Sequence, residues 1–495
     1  MKSLRQHWAN VPEGSAVLFL IQVFATLGFA VLQFTLTLYT TRHHGFTSEQ
    51  AALITGVFAA FNYGLHLFGG YLGGRFLSNR NLFVGGMLLQ VLGCGTVAGG
   101  SLAGLYWGMA LFLTGSGLNV TCINMMLTQR FAPEDERREA AFLWNYAGMN
   151  VGFVIGFTVS GVFQLHDDYP SLFWFATLGN AGAIVVALIF WRTLADRNTP
   201  LMQHQGTAFW GRFAVGIAVL AGLVPVLAWL LKQPGDTAIG MKAFCAAIGV
   251  ILVVLTIRHP VRAEKQRMQA YLVLTVGSLV FWSLYQMAPS GLQLYAVGNV
   301  LMNVWGIPVA PQWVQNINAF SIVVGGPLLA WLFARWRRHG WPVDIPLQFS
   351  ASLVLMGLGF LALPLGIHFA DPATGRADFF WLFLSYVLQS VGELLISPVG
   401  YAMIGRLAPK QYQGVMMGSW MLVTGLASLF AGDFSGVVAQ PVDGGAALAT
   451  NPAYTTLFTQ LAVGSLVTGA ALFGLRPWLR RLIDGPADIS TQPVR

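Results

Sequence analysis

The sequence predicts an all-α polytopic membrane protein with 14 spanning helices. Of its 495 residues, 55% are hydrophobic and only 9% are charged, whereas an ordinary soluble domain carries about 25% charged residues. Apolar stretches of about 20 residues, long enough to cross roughly 30 Å of hydrocarbon, recur from one end of the chain to the other. These two observations exclude a water-soluble fold.

The apolar stretches form two sets of six spans separated by two more. The first set is predicted at 15–40, 49–72, 81–101, 104–129, 139–164 and 170–191, and the second at 269–288, 314–334, 345–367, 378–403, 411–432 and 454–475. The two extra spans are predicted near 209–231 and 239–257. We therefore divide the chain into an N-terminal bundle (1–192), two extra helices with linkers (193–268), a C-terminal bundle (269–476) and a tail (477–495).

The positive charge of the chain indicates membrane topology. A net charge of +8 would suggest nucleic acid in a soluble protein, but here the Lys and Arg residues concentrate in short loops on one predicted face. The opposite face holds only Arg42, Lys232, Lys242 and Arg376. We expect the basic face, with both termini, to be cytoplasmic.

The sequence predicts no cofactor, metal site or disulfide. Cys94, Cys122 and Cys245 all fall inside apolar spans without CxxC spacing, so neither a disulfide framework nor a zinc site is indicated. The first apolar stretch is too long for a signal peptide and has no small-residue cleavage site, so we interpret it as the first span.

Glu393 is the acidic residue predicted to lie well within a spanning helix, while Asp433 falls at a span end. An ionised group in hydrocarbon costs several kcal/mol, so it faces a cavity or a partner. Glu393 is therefore either a structural carboxylate, neutral or paired across helices, or part of a substrate pathway. Pro398, five residues on, favours the pathway, because a proline kinks a spanning helix that must bend.

His66 is a second candidate, because an imidazole can titrate near neutral pH. It lies one turn after Tyr63 on the same face of the second span. His66 is either a proton carrier or a residue that hydrogen-bonds across a helix interface. The many Asn, Gln and Tyr residues inside the spans suggest a wet cavity, although each can also serve as a polar contact between helices.

Several motifs carry a family resemblance. They are Ser385-Tyr386, Gly392-Glu393-Leu394-Leu395-Ile396-Ser397-Pro398, Met417-Gly418-Ser419-Trp420, Leu284-Tyr285-Gln286-Met287-Ala288-Pro289-Ser290, Gln315-Asn316-Ile317-Asn318, Gly69-Gly70-Tyr71-Leu72-Gly73 and Met149-Asn150-Val151-Gly152. With these motifs the chain resembles the proton-coupled oligopeptide transporter (POT/PTR2) family over nearly its whole length. The resemblance implies a major facilitator fold, in which bacterial members carry two extra helices between the six-helix halves. It also implies a monomer in the bacterial inner membrane.

The resemblance implies a site for short peptides. Glu393 would contact the peptide amino terminus and Asn150 its backbone, as a carboxylate complements an ammonium group and an amide complements peptide N–H and C=O groups. The other predicted substrate contacts are Tyr63, Tyr285, Gln286, Gln315, Asn318, Ser397, Trp420, Gln22 and Phe29. The predicted proton-coupling groups are Glu393 and His66.

The chain departs from the family in its charged residues. The family motif E-x-x-E-R-F-x-Y-Y aligns with Gln22 to Ala30, where every charged position is gone. The family's fourth-span lysine falls on Val120, and its aspartate after the second span falls on Gly74. In the family these groups take part in proton coupling and hold the peptide carboxylate, so neither role can be carried over.

We expect a secondary active transporter that takes up di- and tripeptides or peptide-like, amine-bearing compounds. The expected mechanism is alternating access, driven by protons through a non-standard coupling site. The alternatives are a uniporter or exporter of a non-peptide or modified-peptide solute, and a transporter-like sensor, which the lack of a soluble signalling domain disfavours. An enzyme is not expected, because the sequence shows no nucleophile–base pair, metal-ligand cluster or phosphate loop.

Overall fold

A computed structural model describes residues 14–131, 135, 137–341, 343–409, 411–438 and 447–484. Within these residues the helices are α1 (Ser15–Arg42), α2 (Ser48–Leu72), α3 (Asn79–Ala98), α4 (Leu102–Thr128), α5 (Arg137–Gln164), α6 (Tyr169–Ile189), α7 (Gly206–Lys232), α8 (Pro234–Arg258), α9 (Arg262–Tyr285), α10 (Gly291–Asn299), α11 (Gln315–Arg338), α12 (Ile345–His368), α13 (Phe379–Leu407), α14 (Gln413–Gly436) and α15 (Ala447–Asp484). Short 3-10 helices cover Pro200–Gln203 and Pro311–Val314.

The predicted all-α membrane fold is confirmed. Each of the 14 predicted spans corresponds to one helix, and in the described part of the chain every helix except α10 is long and apolar enough to cross a membrane. The last helix, α15, is longer than its predicted span and continues to Asp484. The predicted positions of both chain termini lie outside the described residues.

The sequence did not predict the short helix α10, the two 3-10 helices or a small hairpin between α10 and α11. Strands β1 (Asn303–Val304) and β2 (Ile307–Pro308) pair antiparallel through a two-residue turn. Both turn residues, Trp305 and Gly306, have positive φ angles of 53° and 84°, as a type I′ hairpin requires. With two residues in each strand, the hairpin is too short for periodicity to reveal it.

The described chain forms two compact units. The first contains α1 to α7, the start of α8 up to Ala238 and the segment Val309–Asn316. The second contains α8 from Ile239, α9, α10, α11 from Ile317, and α12 to α15. The two extra helices are thus divided, since α7 belongs to the first unit and most of α8 to the second.

Glycines spaced four apart hold α5 tightly against α1 in the first unit. A Cβ added at Gly152 would lie 2.5 Å from the Val23 carbonyl oxygen, and one at Gly148 would lie 2.8 Å from the Phe19 carbonyl oxygen. Such small residues let helix backbones approach in a membrane, where dispersion contacts drive packing. Asn150 on α5 and Gln22 on α1 therefore lie on two helices that are in close contact.

The start of α3 is bonded to a carboxylate that is distant in sequence, that of Asp196. Asp196, in the connection between α6 and α7, accepts hydrogen bonds from Asn79 N at 2.8 Å and Asn79 Nδ2 at 3.2 Å. Burial raises the pKa of Asp196, although the bonds from Asn79 oppose this effect. Asp196 thus bonds the first residue of α3, directly after the loop that contains Gly74.

Candidate substrate-binding site

Glu393 lies near the middle of α13 in the second unit and is only 9% exposed. The preceding residue explains its burial, because a Cβ at Gly392 would lie 3.0 Å from the Ser352 carbonyl oxygen and 3.2 Å from the Phe281 ring. Helices α12 and α9 therefore approach α13 closely at this point. The helix also continues through Pro398 to Leu407.

The Glu393 carboxylate is surrounded by neutral hydrogen-bond donors. Asn318 Nδ2, on α11, donates to Glu393 Oε2 at 2.7 Å and to Ser390 Oγ at 3.0 Å. The Tyr285 hydroxyl at the end of α9 donates to the same carboxylate. In the described part of the chain, no Lys, Arg or His forms an ion pair with Glu393. This site can therefore accept a cation.

Two other predicted substrate contacts of the second unit lie close in sequence to Glu393 or to Tyr285. Ser397 lies one helical turn after Glu393 on α13 and is half-buried. Gln286 directly follows Tyr285 and is 8% exposed. Ser390 was missed by the sequence reasoning, although its position three residues before Glu393 is the spacing that places two residues on one helix face.

Trp420 takes part in helix packing. It is 4% exposed, its ring lies 6.4 Å from that of Phe349, and it fills the space left by the missing Cβ of Gly400. In this conformation Trp420 therefore supports α13 from α14. Its predicted contact with substrate stays a prediction.

In the first unit, Gln22 and Thr26 form a neutral hydrogen-bonded pair on α1. Gln22 is 4% exposed, and its Nε2 donates to Thr26 Oγ1 at 3.0 Å, one turn along α1. The two side chains satisfy each other without charge, so neither leaves a buried group that needs an ion partner. An amide–hydroxyl pair thus stands where the sequence resemblance predicts the loss of charged residues.

The remaining predicted residues of the first unit lie on α1, α2, α5 and the start of α11. Asn150 Nδ2 donates to the Tyr146 carbonyl oxygen at 2.9 Å, and the Phe29 ring lies 6.4 Å from that of Phe153. Gln315 is 6% exposed. Aromatic and amide groups therefore dominate this set.

Tyr63 and His66 form an edge-to-face pair on α2, with ring centroids 5.9 Å apart. The His66 Nε2 atom is buried and has no hydrogen-bond partner among the described residues. An unpaired imidazole nitrogen costs free energy unless a proton, water or ligand group satisfies it. Sequence analysis identified His66, but only the structure shows that its Nε2 atom has no hydrogen-bond partner among the described residues.

Comparisons with known proteins settle the family. The POT family model, PTR2, matches residues 16–451. This chain belongs to the POT family. It is therefore a multi-pass membrane transporter of the bacterial inner membrane and not an enzyme.

Relatives of this POT family member are peptide permeases. It is 30% identical to dipeptide and tripeptide permease A of Chromobacterium violaceum over 485 residues, which cover 95% of this chain and 94% of that one. It is 29% identical to dipeptide and tripeptide permease A of Citrobacter koseri, with 95% and 93% covered.

Solved structures agree with these relatives. This POT family member is 26% identical to a peptide transporter POT solved in complex with sulfate, with a TM-score of 0.83 and 96% of each chain covered. A mutant of a peptide transporter POT in complex with alafosfalin gives a TM-score of 0.84 at 26% identity, with the same coverage. The major facilitator fold implied by the sequence resemblance is thereby confirmed.

Proposed function

We propose that this transporter takes up di- and tripeptides or peptide-like compounds that carry a free amine. The observation that carries the proposal is the buried Glu393 carboxylate, whose hydrogen-bond donors among the described residues are all neutral. A buried anion without a cation is costly. A substrate ammonium group would neutralise it through a charge-assisted hydrogen bond. The names of the related permeases support peptides as the source of that amine.

We propose proton coupling for the same reason, because the buried Glu393 carboxylate needs a positive charge to neutralise it. When no substrate is bound, a proton on Glu393 would neutralise the carboxylate, so substrate amine and proton would compete for one group. His66, with its unpartnered Nε2, is the second proposed carrier. Alternating access, with both termini cytoplasmic, is the mechanism we propose for the movement of the cargo.

The test is uptake and counterflow of labelled dialanine in proteoliposomes containing the Glu393→Gln variant. We expect Glu393→Gln to weaken dialanine binding by roughly 10- to 100-fold, the range expected when a hydrogen bond to a charged group is lost. The matched control is Asp433→Asn, which removes an acid whose Oδ2 lies 2.5 Å from Lys242 Nζ. Unchanged dialanine counterflow in Glu393→Gln would refute amine binding at this residue.

The coupling is measured separately. In Glu393→Gln proteoliposomes, uptake that still responds fully to an imposed pH gradient would exclude Glu393 as the coupling group. Dialanine counterflow in the wild-type protein without any gradient, together with no stimulation by a gradient, would instead support the uniporter alternative.

A further inference from the structure

The last turn of α11 carries three arginines close together. Arg335, Arg337 and Arg338 lie in its last turn, and all three are exposed. Among the described residues, none of the three forms an ion pair with a carboxylate. Arg337 Nε makes only a long bond of 3.4 Å to the Phe333 carbonyl oxygen of its own helix.

Two other arginines of the second unit, Arg406 and Arg476, do have acidic partners. Arg406 Nη2 lies 2.6 Å from Asp484 Oδ1. Arg476 Nη2 lies 2.8 Å from Asp344 Oδ2. Asp344 is the acid nearest in sequence to the α11 arginines, but it is already held by Arg476 and also caps α12 by accepting from Leu347 N. Among the described residues, the α11 arginines thus have no carboxylate partner.

Tryptophans accompany these arginines. Trp331 is 54% exposed, Trp341 is 65% exposed, and the Arg335 guanidinium carbon lies 5.8 Å from the centre of the Trp331 ring. Tryptophan rings prefer the level of lipid headgroups, where one edge is apolar and the other meets water. This combination places the three guanidinium groups at the depth of lipid phosphates.

The helix itself depends little on protein packing. Only 6% of the apolar part of this helix is buried within the described structure. The same helix carries Asn318, whose amide bonds Glu393. An external anchor at its end would therefore help to fix the helix that positions the candidate site.

We infer that Arg335, Arg337 and Arg338 form a binding site for the phosphate groups of anionic phospholipids. Guanidinium groups bind phosphate oxygens in a bidentate manner and are weakly hydrated, so three of them supply a matched surface for such headgroups. Each basic residue near a membrane surface contributes attraction to anionic lipid that corresponds to about fivefold in affinity. The inference does not depend on the cargo.

The test titrates phosphatidylglycerol into the full-length protein in nonionic detergent and follows the melting temperature, because a ligand of the folded state raises it. The variant is R335Q/R337Q/R338Q. The matched control is R258Q/R262Q/R267Q, which removes three exposed arginines from the end of α8 and the start of α9, a stretch that has no tryptophan and contains Glu264. We expect the lipid concentration at half-maximal stabilisation to rise on the order of 100-fold in the first variant and less than about fivefold in the control.

Two further arms identify the ligand. Phosphatidylcholine and inorganic phosphate should give much smaller shifts of the wild-type melting temperature than phosphatidylglycerol. Equal losses in the two triple variants, or equal stabilisation by inorganic phosphate, would overturn the lipid site. If the triple variant does not fold, the single Arg338→Gln variant should still weaken phosphatidylglycerol binding by about fivefold, and an unchanged affinity there would contradict the inference.

Discussion

Asn318 Nδ2 lies 2.7 Å from Glu393 Oε2 and joins α11 to α13 at the carboxylate that we propose as the amine site. The same amide nitrogen reaches Ser390 Oγ, so one side chain fixes two groups on one face of α13. A substrate ammonium group has to share or replace this donor. The Asn318–Glu393 bond therefore connects occupancy of the site to the position of α11.

Asn318→Leu is expected to destabilise the protein by about 1–3 kcal/mol, because it leaves a buried carboxylate without its amide donor. The loss should shrink in a Glu393→Gln background, where no charge needs that donor. Thermal unfolding of both single variants and the double variant measures this coupling. Asn316→Leu is the matched control, since Asn316 Nδ2 bonds a neutral Thr158 hydroxyl at 3.1 Å; equal losses at the two positions would argue against a special role for Asn318.

The peptide carboxylate is expected to contribute little to binding. Gln22 and Thr26 form a neutral pair at the positions where the sequence resemblance places charges, so we expect no cation at these positions to hold it. Dialanine amide should therefore compete with labelled dialanine within about threefold of free dialanine, an energy difference below ~1 kcal/mol. Inhibition curves in proteoliposomes measure this ratio, and a tenfold advantage of the free acid would require another cation.

His66→Gln is expected to reduce uptake driven by a pH gradient by about tenfold and to leave dialanine counterflow nearly unchanged. The reason is that glutamine retains a hydrogen-bonding group but carries no proton in this pH range. His166→Gln is the control, because His166 Nδ1 already contacts the Val162 carbonyl oxygen at 2.9 Å near a helix end. Equal gradient-driven uptake in the two variants would remove His66 from the coupling mechanism.

His44 should make the protein more sensitive to acid. It lies in the loop between α1 and α2, where burial and the neighbouring His43 lower its pKa from 6.5. The folded state therefore binds this proton less tightly than the unfolded state, so stability is fully present above pH 6.5 and falls as the pH drops through the lowered value.

Melting temperatures at pH 7.5 and pH 5 test this dependence. His44→Gln should show a smaller decrease between the two pH values than the wild type, because the group that must take up a proton is gone. His204→Gln is a useful comparison, since His204 is a half-buried histidine outside the α1–α2 loop, whose Nδ1 contacts the Pro200 carbonyl oxygen. An identical decrease in wild type and His44→Gln would exclude His44 as the source.

The spans were predictable because hydrocarbon imposes a minimum length on every apolar helix, and that length is visible locally. The predicted stretch 345–367 became the helix Ile345–His368, and 49–72 became Ser48–Leu72. Helix ends were less accurate where a helix continues into charged residues beyond its apolar part, as at α15, which extends to Asp484. The hairpin at Trp305 was invisible, since its turn is defined by φ angles and not by hydropathy.

The sequence by itself determined the membrane fold and singled out Glu393 and His66, because a titratable group in an apolar helix is conspicuous wherever the chain folds. Only the tertiary structure decided that Asn318 and Tyr285 hold Glu393, that Gln22 bonds Thr26, and that His66 Nε2 lacks a partner within the described chain. Hydrogen bonds act over about 3 Å, and contacts between helices at that distance depend on packing that local periodicity does not record.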